Sequence, residues 1–120
     1  MYGTSSSILE TVKKHLVGNE EDDGFDTDII DSINSRFLEL HQLGVGPKEG
    51  FSIEGPSETW DDYIQGDKFL LSSVKEYIWL KVKKTFDPSA SPTVAAAYDD
   101  RLAELTFRIN AQAEGGASDS

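Results

Sequence analysis

Residues 67–86 read Asp-Lys-Phe-Leu-Leu-Ser-Ser-Val-Lys-Glu-Tyr-Ile-Trp-Leu-Lys-Val-Lys-Lys-Thr-Phe, and they decide the fold. At about 100° per residue, Phe69, Leu70, Leu71, Val74, Tyr77, Ile78, Trp79, Leu80, Val82 and Phe86 cover most of the circumference of a helix. Only Ser72, Ser73, Glu76, Lys83 and Lys84 form a clearly polar wedge. A helix apolar nearly all round is buried on several sides. A small domain offers two ways to do this: other helices pack on two of its faces, or a second copy of the chain covers part of it. The pattern points to an assembling protein and away from an enzyme built round a pocket.

Upstream, residues 44–67 are the longest irregular stretch, rich in Gly and Pro. Phe51-Ser52-Ile53 alternates and is compatible with a short extended segment. Ser57-Glu58-Thr59 can start one helical turn carrying Trp60, Tyr63 and Ile64. Long loops in compact domains are functional or disordered. Phe51, Ile53, Trp60 and Tyr63 argue against disorder, so the loop is expected to pack on its own domain, on a neighbouring subunit, or on both. Gly44-Val45-Gly46 is no phosphate loop, because it follows a helix and no Gly-Lys-Ser/Thr comes after it.

Further upstream, Ser7 and Glu10 form a capping-box pattern. The helix they open places Ile8, Leu9, Val12 and Leu16 on one face and is expected to end near Gly18. Asn19 to Phe25 is an acidic loop; read as an EF-hand it would need a bidentate carboxylate where Ile30 stands, so it reads as a solvated linker. Asp26 is expected to cap a second helix. Its stripe is Ile29, Ile30, Ile33, Phe37 and Leu40, with Leu43 at the edge and Leu38 pointing the other way. Gly44 ends it. Downstream, Ser91 caps and Pro92 opens a last helix with Val94, Tyr98, Leu102, Leu105 and Ile109 on one face and Phe107 away from it. The fold expected is all-α: a small four-helix bundle with a long ordered loop between helices two and three. Residues 7–112 form the helical domain, and 113–120 a flexible acidic tail.

With 22 acidic against 11 basic residues, the chain carries a net charge of −11. Nucleic-acid readout needs Lys and Arg to displace counterions, so it is disfavoured, as is binding to an acidic membrane. There is no Cys, which removes disulfides and Cys-ligated zinc. No apolar run approaches the ~20 residues that span a bilayer, and the start of the chain does not read as a signal peptide. His15 and His41 lie near the ends of different helices and read as surface residues. No His-Glu-x-x-His, Gly-x-Ser-x-Gly or Walker pattern occurs. No catalytic residue, cofactor or metal site is expected.

The order of motifs resembles one family. An acidic linker precedes Phe-Asp-Thr-Asp-Ile-Ile-Asp-Ser-Ile-Asn-Ser (25–35). Gln-Leu-Gly-Val-Gly-Pro (42–47), Gly-Phe-Ser-Ile (50–53) and Thr-Trp-Asp-Asp-Tyr-Ile (59–64) follow, and Tyr-Ile-Trp-Leu-Lys-Val-Lys-Lys-Thr-Phe-Asp-Pro (77–88) completes the set. This is similar to the small all-helical head–tail connector (adaptor) proteins of long-tailed bacteriophages, over about residues 7–110. The resemblance implies a homo-oligomeric ring in the virion neck, assembled in the host cytoplasm. That ring would sit below the portal protein, complete the head and dock a neck stopper or tail-completion protein. Genomic DNA would pass through without specific binding. By the same resemblance Leu105, Phe107, Arg108, Ile109 and Gln112 are expected at the portal. Phe107 would be the apolar anchor, unless it folds back on its own domain. Leu38, Phe51, Ile53, Trp60 and Tyr63 are expected at a subunit or neck interface, and Glu20, Glu21, Asp22 and Asp23 along the channel. The competing expectation is an acidic DNA mimic that inhibits a nucleic-acid enzyme.

Overall fold

The computed structural model describes residues 6–16, 24–86 and 91–118, with side chains as far as 113. Among them the chain is all-α: α1 (Ile8–Lys14), α2 (Asp26–Gln42), α3 (Trp60–Tyr63), α4 (Lys68–Phe86) and α5 (Pro92–Ser118). No strand forms among the described residues; Phe51–Ile53 stays irregular, and Ser7 and Thr59 make an isolated antiparallel bridge.

The apolar helix α4 lies at the centre, with α1, α2 and α5 all packed on it. Its Leu71, Val74, Tyr77, Ile78, Leu80 and Val82 are buried. They share a core with Ile8, Leu9 and Val12 of α1, Ile29, Ile33, Phe37 and Leu40 of α2, and Leu102, Leu105 and Ile109 of α5. Of the two ways to hide such a helix, neighbouring helices of the same chain therefore do most of the work. Half-buried Trp79 is covered by the His15 ring, stacked 3.9 Å away at 8°.

The polar wedge of α4 is not simply wet. Glu76 takes a two-pronged bond from the Arg101 guanidinium of α5, at 2.7 and 2.8 Å. Lys84 pairs with Asp99, and Lys83 Nζ donates to the His15 carbonyl at 3.0 Å. One seam of α4 against α5 is thus ionic and the rest apolar.

Local chemistry sets the helix ends. Ser7 Oγ accepts the Glu10 N–H at 3.2 Å. α1 closes at His15, before the expected Gly18, because the His15 and Leu16 N–H groups bond three residues back, to Val12 and Lys13, tightening the last turn. Asp26 is not the cap of α2. Phe25 holds that position without a side-chain bond, while the Asp26 carboxylate lies 2.8 Å from Lys13 Nζ. A buried ammonium is costly without a partner, and Lys13 is only 4% exposed. At the other end the Val45 N–H reaches the Leu40 carbonyl and the Gly44 N–H that of His41. With φ of +88° at Gly44, this is a Schellman closure. α5 starts as expected, Ser91 Oγ accepting the Val94 N–H at 3.4 Å, although Val94 itself is exposed. It runs on to Ser118, past the expected boundary at 112. Ala111, Gln112, Ala113 and Glu114 are good helix formers, and an existing helix extends at one hydrogen bond per residue.

The long loop packs inward. Asn34 on α2 grips Ile53 from both sides, donating to its carbonyl at 3.0 Å and accepting its N–H at 2.8 Å. The Ile8 and Trp60 N–H groups bond the Glu58 and Ser6 carbonyls, tying the loop to the start of α1. Thr59 and Asp62 cap α3 reciprocally. The Trp60 indole is wholly enclosed and donates to Thr11 Oγ1 at 3.2 Å. Phe51 and Tyr63 pack on Phe37 with ring centroids 5.2 and 4.5 Å away.

Candidate assembly surface

Once the core is filled, a few large apolar side chains remain outside. Phe69 is 81% exposed and Phe107 74%; both line one open groove of about 370 Å³ between the first turns of α4 and the second half of α5. Ser72, Ser73, Arg108, Ala111 and Gln112 complete its walls. Helical geometry puts Phe107 there, since it lies nearly opposite the buried Leu102/Leu105/Ile109 stripe on α5. Phe69 is there for a related reason. It precedes Ser72, Ser73 and Glu76 by three, four and seven residues and so shares their polar face. The sequence places Phe69 within the apolar circumference of α4, while its spacing to that wedge signals that it is exposed.

The one charged side chain in the groove's wall is paired. Arg108 makes a bond of 2.9 Å to Glu104 and is half exposed. Lys68, next to Phe69 in the sequence, lines a separate hollow with Asp61 and Asp67. The hydrogen bonds from Arg101 hold the Glu76 carboxyl below the usual carboxylate range, against the opposing effect of burial. This ion pair locks the two helices that form the groove.

Further exposed apolar points lie elsewhere, at Phe25, Leu38 and Val94. Leu38 is 61% exposed and stands on the outer face of α2 with Asp28, Asp31, Ser35 and Gln42, all exposed. That face is opposite the buried stripe of α2.

The structure divides the expected contact residues. Leu105 and Ile109 are wholly buried in the subunit's own core; in an α-helix they share the stripe of Leu102. Phe107, Arg108 and Gln112 do reach the surface groove, and Phe107 does not fold back. Ile53, Trp60 and Tyr63 are enclosed by their own subunit, because the loop closes over the end of α2. Phe51 is half-buried beside them, and Leu38 alone of that set is fully open. Glu20, Glu21, Asp22 and Asp23 lie outside the described residues. Among the described residues no group of three or more His, Asp or Glu could hold a metal ion, and no helix is long and apolar enough to cross a membrane. His15 is stacked on Trp79, and His41 Nε2 sits 2.9 Å from the Lys48 carbonyl; neither faces the groove.

A small all-α module with its chemistry spent on packing and its open apolar surface at a groove is the class of an assembly protein. Residues 8–116 match the model of the phage connector protein family, and the chain belongs to that family, the head–tail connectors of bacteriophages. The family is structural and not enzymatic. Comparison with curated proteins and with solved structures gave no match.

Proposed function

We propose that this connector protein forms a ring beneath the portal of the DNA-filled head. There it completes the head and offers the docking surface for the next neck or tail protein. The observation that carries this reading is apolar surface left over at separate places, the Phe69/Phe107 groove and Leu38 among them, on a chain whose family builds phage connectors. A contact between two different patches, repeated by rotation, closes into a ring when the angle permits. The net charge of −11 suits a channel through which DNA slides, since the wall lacks the excess cations that grip phosphate. The portal side falls to the C-terminal part of α5. Among the side chains described, its last buried one is Ile109, and the helix continues to Ser118, a reach of roughly 13 Å at 1.5 Å per residue.

The test is electron microscopy of purified particles with the protein tagged. Label at the neck, between head and tail, is the expected result. Particles that contain no copy of the chain would overturn the reading. A soluble complex with a nucleic-acid enzyme, lost on adding salt, would replace it with the DNA-mimic alternative.

A further inference from the structure

We draw no further inference here: the strongest candidate, the open apolar groove that Phe69 and Phe107 line between the first turns of α4 and the second half of α5, carries nothing beyond the assembly reading above, because nothing in the structure shows what covers it.

Discussion

The loop between α2 and α4 and the groove between α4 and α5 are opposites. The loop is irregular, holds four glycines at positive φ and would be taken for surface. Yet it carries Trp60, Ile53 and Tyr63 into the core. The groove is made of two of the longest, most regular helices, yet it leaves Phe69 and Phe107 in solvent. Regular backbone therefore does not decide burial. What decides it is whether polar backbone groups are paired and whether another element lies opposite. Asn34 and the Ser7–Thr59 bridge pair the loop's backbone with the body of the protein, so it can go inside. Among the described residues, the outer sides of α4 and α5 at the groove have no third element against them.

The contrast can be broken at the loop first. Trp60→Ala should cost about 3–5 kcal/mol of stability, because the indole is fully enclosed and Thr11 loses its donor. Chemical denaturation measures this, and a loss below about 1 kcal/mol would put the loop outside the cooperative core. Gly46→Ala should cost about 2 kcal/mol. Its φ is +92° and a Cβ there would stand 2.7 Å from Tyr63 Cε1; a melting temperature unchanged by the substitution would mean that the Phe37/Phe51/Tyr63 cluster is loose. A smaller effect belongs to the helices that carry the groove. Arg101 depresses the folded-state pKa of Glu76. Its stabilisation is therefore complete above the ordinary glutamate value, about 4.3, and is lost as pH falls through the folded value. Glu76→Gln should flatten the acid limb of a stability–pH curve relative to the parent. Parallel acid limbs would show that the pair contributes nothing measurable, as many surface pairs do.

Much of this was legible beforehand where one period governs one element. The apolar circumference of α4, the α2 stripe of Ile29, Ile33, Phe37 and Leu40, the caps at Ser7 and Ser91, and a helical turn starting at residues 57–59 follow from local spacing and side-chain chemistry. What escaped was relational. Loop aromatics such as Trp60 give no sign in the sequence of which surface they meet. Asp26 has the chemistry of a cap, and the claim on it by the buried ammonium of Lys13, from another helix, is invisible in the sequence. The Glu76–Arg101 and Lys84–Asp99 seam needs the packing of α4 on α5, which no single helix encodes. Half of the groove was visible as Phe107. The other half, Phe69, was written in its spacing to Ser72, Ser73 and Glu76 but hidden by the abundance of apolar neighbours.

The account stands on Phe107 belonging to assembly and not to folding, and one paired measurement tests that. Phe107→Asp should shift the thermal midpoint of the purified protein by less than the equivalent of about 0.5 kcal/mol. The same change in the phage should leave filled heads and free tails that do not join. Normal numbers of joined particles, or a purified variant that no longer folds, would contradict it.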